Sequence, residues 1–324
     1  MSKTLPADCS KLFFSRLDSA ARKTRFVIRN SLKFSAAGYL FALINAILTG
    51  NASFNQLAMG LKHSEPLSLT KQAVWKRTNA LAVAFMLDAL TLALLEKWRE
   101  GTCKIPKLKR LFGRVLVQDS SQQKLPKSNH EHFPAHGNGK SVTAGVKVDL
   151  AIDLLNGRAI FSQLYSATEQ DRDLGKNLVD LVRKRDLVLR DRGYFSLMEF
   201  SYIEGKRAYW LSRVPSNLII RDEDGGELDQ HLRGCAGDTL DLMVKLGKRA
   251  HKARLIAIRA TAAVARKNLK LAKEQASQKG KTLSKSQRLR CQWHLVTTNI
   301  PREKMPERSV SELYRCRWNI EIIF

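Results

Sequence analysis

The sequence predicts an α/β protein in which a helical amino-terminal region precedes a mixed sheet. Residues 10–100 carry Ala, Leu and Phe at helical spacing and show no alternating strand pattern. After Pro106 the helical pattern gives way to short apolar runs, which are typical of buried strands. A helical segment separates two of these runs, as in a crossover between parallel strands.

Charge restricts the partners of the protein. Its 324 residues include 56 Lys and Arg against 30 Asp and Glu, which gives a net charge of +26 and predicts a polyanionic partner. Nucleic acid is the first candidate and an anionic membrane surface the second, and a ribosomal or structural nucleic-acid-binding protein explains the charge equally well. No signal peptide is predicted, and the apolar stretch Phe34–Leu48 is too short to span a bilayer and predicts a buried helix.

Five scattered cysteines predict neither a zinc site nor a disulfide framework, and they fit a reducing cytoplasm. Any metal ion is therefore expected to be held by oxygen, which favours Mg²⁺ or Mn²⁺.

A helix-turn-helix-like element is predicted near residues 53–80. Ser53–Leu61 predicts one short helix, a turn containing Gly60 and Pro66 follows, and a second helix opens at Ser68 or Thr70. Ala73 and Val74 are available for packing. The second helix carries long donors suited to phosphates and base edges, namely Lys71, Gln72, Trp75, Lys76 and Arg77. The alternative is a plain helical hairpin with a solvated basic face.

The first predicted strand is the apolar run Arg114–Gln118, which delivers Asp119 at its carboxyl end before four polar residues. A single Asp in this position is also common as a turn former or cap. Farther along the chain, Val146–Asp153 alternates apolar and polar residues and ends at an Asn156–Gly157 turn, which predicts a hairpin. Asp149 and Asp153 lie opposite its apolar face and are therefore expected to be solvated.

A second acid follows another predicted strand. Asp171–Lys184 predicts a helix, and the apolar run Leu187–Arg190 then ends at Asp191. A crossover of this kind places successive strand ends at one edge of the sheet, where α/β proteins bind their ligands. The alternative is that Asp191 only serves the sharp turn Arg192–Tyr194.

The last helix predicted from the sequence carries Tyr314, Arg317 and Glu321 at i, i+3 and i+7, which stacks them on one face. Ser309 and Glu312 have the spacing of a capping box that would begin this helix. An apolar stripe is predicted beside the polar one, formed by Leu313, Cys316, Ile320 and Ile323. The alternative is an ordinary amphipathic helix whose Tyr, Arg and Glu are solvated.

Three strands, a helix, a strand and a late helix with a carboxylate follow the order of a ribonuclease-H-like core. Asp119 with Ser120, the turn Asp191–Tyr194 and the Tyr314-x2-Arg317-x3-Glu321 spacing resemble the three acidic signatures of DDE transposases of bacterial insertion sequences, specifically the insertion sequence four family. The resemblance implies that Asp119, Asp191 and Glu321 hold two Mg²⁺ or Mn²⁺ ions. Two such ions need hard anionic oxygens to support phosphoryl transfer.

The resemblance also implies DNA-binding residues. Arg317 and Tyr314 would fix the scissile phosphate, and Trp318 directly follows Arg317 in the signature. Trp293 lies at the position where related transposases stack a tryptophan on a base flipped out of a DNA hairpin. The alternative for Trp293 is a core residue at the start of a strand. Residues 245–290 are rich in Lys and Arg, which predicts a positive surface beside the active site, although a solvated helix over Thr261–Gln278 accounts for part of this charge.

The sequence thus predicts a helical DNA-binding region at 1–105, a catalytic core at 106–205 and 293–324, and a β-rich basic insertion at 206–292. The expected function is cut-and-paste DNA transposition through a hairpin intermediate, on terminal inverted repeats and target DNA. A homodimer and a cytoplasmic, nucleoid-associated location are expected. The signature continues in the family with a Lys that would be residue 328, so a truncated, non-catalytic DNA-binding remnant is the alternative, and a structure-specific nuclease of the same superfamily is a second one.

Overall fold

A computed structural model describes residues 7–29, 34–50, 52–64, 69–100, 106–137, 141–278, 280–317 and 320. The chain divides into two units, one formed by residues 1–102 with 156–159 and the other by residues 103–155 with 160–324. The amino-terminal helices and the large mixed sheet are both present, so the predicted fold class is confirmed.

The described part of the first unit contains five helices, in agreement with the helical periodicity of its sequence. They are α1 (Ala7–Lys23), α2 (Ala36–Leu48), α3 (Phe54–Ser64), α4 (Lys71–Arg77) and α5 (Ala80–Glu100). Aromatic rings fill the core of this unit. Phe26 stacks on Phe85 with ring centroids 5.0 Å apart and meets Tyr39 edge-on at 5.1 Å. The Tyr39 hydroxyl shares a 3.0 Å hydrogen bond with Thr78.

The predicted buried helix is α2, and it is buried on one face only. Ser35 caps the helix by accepting a hydrogen bond from the backbone N–H of Gly38. Tyr39 and Ala42 lie on its buried face, whereas Ile44 is 43% and Leu48 80% exposed. The core of this unit therefore covers only part of the apolar surface of α2.

The two helices predicted as a helix-turn-helix-like pair are α3 and α4. Thr70 caps α4, as one of the two predicted starts requires, and Val74 is buried while its neighbours face outward. Gly60 lies inside α3 rather than in the turn, so the prediction that Gly60 belongs to the turn was wrong. A Cβ atom at Gly60 would lie 3.1 Å from Ala42 Cβ, so glycine allows close packing of α3 on α2. Pro66 and Ser68 lie outside the described residues.

The second unit begins with the elements of the predicted core. They are α6 (Pro106–Leu111), β1 (Val115–Leu125), β2 (Ala144–Asp153), β3 (Arg158–Ser166), α7 (Asp171–Leu181), β4 (Leu187–Arg190), α8 (Leu197–Gly205) and β5 (Tyr209–Arg213). The remaining elements are β6 (Ile220–Asp222), α9 (Leu228–Gly234), β7 (Thr239–Leu246), β8 (His251–Arg259), α10 (Ala262–Gln278), α11 (Lys285–Arg290), β9 (Trp293–Thr298) and α12 (Glu307–Arg315).

The nine strands found in the described part of the chain form one sheet in the order β3-β2-β1-β4-β5-β9-β8-β7-β6. β1, β4 and β5 are parallel neighbours, while β9, β8, β7 and β6 extend the sheet in antiparallel pairs. β5, predicted at the start of the insertion, pairs with β4 inside the central sheet. The predicted domain boundaries remain predictions.

The first strand of the sheet is longer than its apolar run indicates. β1 continues beyond Asp119 to Leu125, because every residue from Leu116 onward pairs with β2. The prediction that Asp119 lies at the carboxyl end of this strand was therefore wrong. Burial decreases along β1 from its apolar start to its polar end, which explains why the apolar run marks only its first part.

Candidate active site

Asp119 and Asp191 occupy the same level of two neighbouring strands. The parallel pairing of β1 with β4 ends at Val117 and Leu189, and each acid lies two residues further along the chain. β1 then continues in its pairing with β2, whereas β4 ends at Arg190. The two acids thus lie where the strands separate, at the kind of edge where α/β sheets bind ligands.

One guanidinium group lies beside both acids. Arg317 Nη1 is 3.6 Å from Asp119 Oδ2, and Arg317 Nε is 3.9 Å from Asp191 Oδ1. The Arg317 side chain is only 4% exposed, while the side chains of Asp119 and Asp191 keep 21% and 36% of their surface. The positive charge of Arg317 offsets the repulsion between the two carboxylates.

Tyr314 joins the same cluster. Its hydroxyl donates to the Arg190 carbonyl oxygen at 3.2 Å and to Asp191 Oδ1 at 3.3 Å. Burial and the Asp191 charge raise the pKa of Tyr314 above its usual value, so the hydroxyl stays protonated and remains a donor. Because Tyr314 and Arg317 are both buried, the alternative in which they are merely solvated is wrong for these two residues.

Helix α12 differs from its prediction at both ends. It begins at Glu307 after Pro306, so Ser309 lies within the helix and does not form the predicted capping box. Pro306 accepts from the Val310 N–H, and its fixed φ suits an earlier start. The helix ends at Arg315, and Arg317 follows in a turn. Glu321, Trp318 and Ile323 lie outside the described residues.

A buried polar network lies beneath the two acids. Gln118 Nε2 donates to both carboxylate oxygens of Asp149 at 2.9 Å, and Gln118 Oε1 accepts from Arg190 at 2.7 Å. Arg190 also donates to the Gly175 carbonyl and to Glu199. Burial raises the pKa values of the Asp149 and Glu199 carboxyls and lowers that of the Arg190 guanidinium. These bonds fix the residues that immediately precede Asp119 and Asp191 in the chain.

Asp149 and Asp153 were expected to be solvated, and this expectation was wrong, since they are 0% and 1% exposed. The face of β2 that carries them is covered, because Gln118 reaches across to the Leu174 carbonyl of α7. Asp153 Oδ1 accepts from the backbone N–H groups of Val115 and Leu155. The polar residues that alternate with apolar ones in β2 are therefore buried and paired. The alternation alone does not distinguish such a buried polar face from a solvated one.

Four basic side chains lie near one another, and one of them, Arg192, directly follows Asp191. They are Arg192 after β4, Arg213 at the end of β5, His294 in β9 and Arg315 in α12. Burial lowers the pKa of His294, and the charges of Arg213, Arg315 and Arg192 lower it further. Burial and Arg213 lower the pKa of Arg192 as well. A cluster of this kind suits a phosphate group, which would relieve the mutual repulsion.

This basic cluster is not visible in the sequence, because its members come from four separate elements. The one available signal was the position of Arg192 directly after Asp191. A cavity of about 230 Å³ adjoins Arg192 and Arg213 and is also bordered by Asn268 and Trp293.

The donor chemistry of Asp119 and Asp191 fits a hard divalent cation. Both offer carboxylate oxygens, the ligands that Mg²⁺ and Mn²⁺ prefer. Within the described residues, no group of three or more His, Cys, Asp or Glu side chains could hold a metal ion. The third predicted ligand, Glu321, is not among those residues.

Residues 110–324 match the family model described as "Transposase DDE domain", which covers more than half of the chain. The chain belongs to the DDE transposase family. This match confirms the resemblance stated from the sequence. Members of this family act on DNA and generally use divalent metal ions.

Curated relatives are transposases of insertion sequences. The chain is 28% identical over 286 residues to the transposase for insertion sequence element IS231F of Bacillus thuringiensis subsp. israelensis, which covers 79% of the chain and 58% of the relative. It is 27% identical to the transposase for element IS231B of Bacillus thuringiensis subsp. berliner, over 98% of the chain and 70% of that relative. The transposase for element IS1151 of Clostridium perfringens is also 27% identical, with 96% of the chain and 70% of the relative covered. The chain thus spans less than two thirds of the IS231F transposase.

Trp293 lies in the core. It is 4% exposed, and the Arg259 guanidinium lies 4.4 Å from the centre of its ring. In this structure Trp293 is thus a buried residue at the start of β9, and its contact with a DNA base stays a prediction. Stacking on a DNA base would require Arg259 to move away.

In the helical unit, the predicted DNA-binding side chains of α4 are arranged around the buried Val74. Lys71, Gln72 and Lys76 are exposed, and Trp75 is 59% exposed. The Arg77 guanidinium instead lies 4.3 Å above the Phe34 ring. Three long donors of α4 are thus available to a ligand, while Arg77 also packs within its own unit.

Helix α10 carries the basic charge predicted between residues 245 and 290. Arg266, Lys267, Lys270 and Lys273 are exposed along it, and Lys281, Lys285 and Arg288 are exposed beyond it. Within the described residues, no helix is long and apolar enough to cross a membrane.

Proposed function

We propose that this chain catalyses cut-and-paste transposition of an insertion sequence, cleaving DNA at the element ends and joining those ends to target DNA. The observation that carries the proposal is the position of Arg317 within 4 Å of both Asp119 and Asp191. A guanidinium with two carboxylates at an exposed sheet edge combines a phosphate ligand with cation ligands.

In this proposal, Asp119, Asp191 and Glu321 would hold two divalent ions, Mg²⁺ or Mn²⁺. Bound ions would supply Lewis acidity that activates the attacking oxygen and stabilises the leaving oxygen of the phosphodiester. The partial exposure of Asp119 and Asp191 supports this role, because a cation and a DNA strand must both reach them.

The remaining residues of the cluster would bind and orient the DNA phosphate. Arg317 presents a planar donor group beside the acids, and Tyr314 keeps its proton and holds Asp191 by a hydrogen bond. Arg192 adds positive charge next to Asp191, and Arg213 and Arg315 add positive charge near His294. Positioning of this kind contributes much of the rate in phosphoryl transfer.

DNA outside the active site would be held mainly by electrostatic contacts. The net charge of +26, the exposed donors of α4 and the basic side chains of α10 support this assignment. The specific substrates would be terminal inverted repeats and target DNA, and the active assembly a homodimer. A hairpin intermediate, with Trp293 and Trp318 next to the DNA, belongs to the same proposal and rests on the family resemblance.

The test is cleavage of duplex DNA that carries the terminal inverted repeats of the encoding element, with Mg²⁺ or Mn²⁺ and the purified chain. We expect nicked, hairpin or joined products from the wild type and none from Asp119→Asn, while both proteins bind the DNA equally. Asp224→Asn, at an exposed acid, is the matched control. Cleavage that survives Asp119→Asn refutes the assignment, and binding without any cleavage by the wild type favours the non-catalytic DNA-binding alternative.

A further inference from the structure

Asp171 is a further carboxylate beside the two acids, and the sequence analysis assigned it no role. It is the first residue of α7, and its Oδ1 accepts two hydrogen bonds. One comes from the Ser120 hydroxyl at 2.7 Å and the other from Lys147 Nζ at 2.8 Å. Ser120 directly follows Asp119, so Asp171 is connected to the first acid of the site.

Lys147 holds Asp171 in place. Its side chain is 4% exposed, and it donates to the Glu169 carbonyl oxygen as well as to Asp171. A buried ammonium group is costly unless it is paired, so the Asp171 carboxylate stabilises the buried Lys147 side chain. A hydrogen bond between two charged groups is also short and directional, which limits the rotamers that Asp171 can adopt.

Ser120 passes this constraint to Asp119. Its backbone N–H donates to Asp119 Oδ1 at 2.9 Å, while its hydroxyl donates to Asp171. The same residue is thus bonded to the first acid through its backbone and to Asp171 through its side chain. Movement of Asp171 would shift Ser120 and change the direction in which Asp119 presents its oxygens.

The second oxygen of Asp171 lies against the turn that follows Asp191. A Cβ atom built on Gly193 would lie 3.3 Å from Asp171 Oδ2, closer than most real Cβ contacts. Gly193 therefore allows the carboxylate to approach the backbone of this turn closely. Asp171 is thus bonded to Ser120, one residue after Asp119, and lies close to Gly193, two residues after Asp191.

The sheet itself does not fix the separation of the two acids. The β1–β4 pairing ends at Val117 and Leu189, before either acid is reached. We propose that Asp171, held by Lys147, is a positioning residue that sets the spacing of Asp119 and Asp191 through Ser120 and Gly193. This inference rests on the proposed function, because the spacing matters for divalent cations bound by the two acids.

The experiment measures Mn²⁺ binding directly, by electron paramagnetic resonance of the free ion in titrations of the purified chain without DNA. Groups that orient metal ligands typically contribute about 10- to 100-fold to metal affinity, and we expect a loss of that size for Asp171→Asn and for Ser120→Ala. Ser120→Thr keeps the hydroxyl and should retain affinity. Asp180→Asn, at an exposed acid of the same helix, should bind Mn²⁺ like the wild type.

Thermal unfolding separates positioning from loss of fold. If Asp171→Asn does not fold because Lys147 is left unpaired, the double variant Lys147→Met/Asp171→Asn removes the buried charge. Ser120→Ala and Ser120→Thr then test the positioning role without the single Asp171 variant. Cleavage measured against Mg²⁺ concentration should show a half-saturating value raised by the same factor as the Mn²⁺ dissociation constant.

Asp119→Asn distinguishes the two proposals. If Asp119→Asn leaves Mn²⁺ affinity unchanged, the cation site of the proposed function is wrong. If Asp119→Asn weakens binding but Asp171→Asn and Ser120→Ala do not, the positioning role of Asp171 is wrong while the proposed function stands.

Discussion

Arg317 Nη1 lies 3.6 Å from Asp119 Oδ2, so the arginine of the late signature pairs with the acid of the first strand. The same side chain is buried and also lies within 4 Å of Asp191. It therefore supplies the positive charge that the two carboxylates share in this structure. Loss of Arg317 should affect both the arrangement of the acids and the binding of phosphate.

We first predict that Arg317→Lys lowers the cleavage rate by about 10²-fold, because lysine keeps the charge but lacks the planar fork of donors. The measurement is the single-turnover rate at saturating DNA and Mg²⁺. Arg288→Lys, at an exposed position, should cleave at the wild-type rate. A wild-type rate for Arg317→Lys would show that charge alone is sufficient at this position.

Tyr314→Phe tests the hydroxyl that holds Asp191. The substitution keeps the buried ring and removes the hydrogen bonds to the Arg190 carbonyl and to Asp191. We expect the cleavage rate to fall by about 5- to 10-fold, corresponding to one hydrogen bond of about 1 kcal/mol, with DNA affinity unchanged. Tyr202→Phe, at a residue that is 60% exposed, is the control. Equal rates for both variants would exclude a role for the Tyr314 hydroxyl.

Much of this architecture could be predicted from the sequence. The apolar run before Asp191 coincides with β4, and the Asn156–Gly157 turn between β2 and β3 is present with Gly157 at a φ of 68°. Short apolar runs and turn residues act locally, so their structural consequences are visible in sequence. The fold class followed from the order of such elements.

The contacts within the site could not be predicted in the same way. Asp149 and Lys147 lie on the polar side of an alternating strand, yet both are buried because α7 and neighbouring side chains cover that side. Whether a polar face meets water or a charged partner depends on elements distant in sequence. For the same reason Asp171 was not recognised as a neighbour of Asp119.

The buried network predicts a large stability effect for Arg190→Met. The change leaves Glu199, which is 7% exposed, without its guanidinium partner, and leaves Gln118 Oε1 without its donor. We expect the free energy of unfolding to fall by about 3 to 5 kcal/mol, as measured by urea denaturation. Arg266→Met, at an exposed residue of α10, should change it by less than about 0.5 kcal/mol. If Arg190→Met lowered the free energy of unfolding as little as Arg266→Met, the buried network would contribute little to stability.

DNA binding by α4 predicts a change in salt dependence. Lys71→Ala and Lys76→Ala each remove an exposed charge and should lower the slope of log affinity against log salt concentration by about 0.9. Fluorescence anisotropy with labelled duplex DNA at several salt concentrations measures this slope. Lys23→Ala removes an exposed lysine that pairs with Asp88 at 2.8 Å, and it should leave the slope unchanged. Slopes equal to wild type in both α4 variants would place the DNA elsewhere.

Asp153 predicts a pH dependence of stability. Burial raises the pKa of its carboxyl above the usual 3.8, so the folded protein holds this proton more tightly than the unfolded chain does. This contribution to stability is fully present below pH 3.8 and is lost as the pH rises through the folded-state pKa. Asp153→Asn retains an oxygen that can accept from Val115 and Leu155 but cannot ionise.

The free energy of unfolding of Asp153→Asn should therefore increase relative to wild type as the pH rises from about 3.8, and the difference should then level off. Urea denaturation of both proteins between about pH 3.5 and 6.5 measures it, because the other acids titrate in both and largely cancel. The exposed-site variant Asp224→Asn should show no such rise. A difference that decreases with pH would mean that the Asp153 carboxylate is stabilised in the folded protein, because its bonds to Val115 and Leu155 would then outweigh the cost of burial.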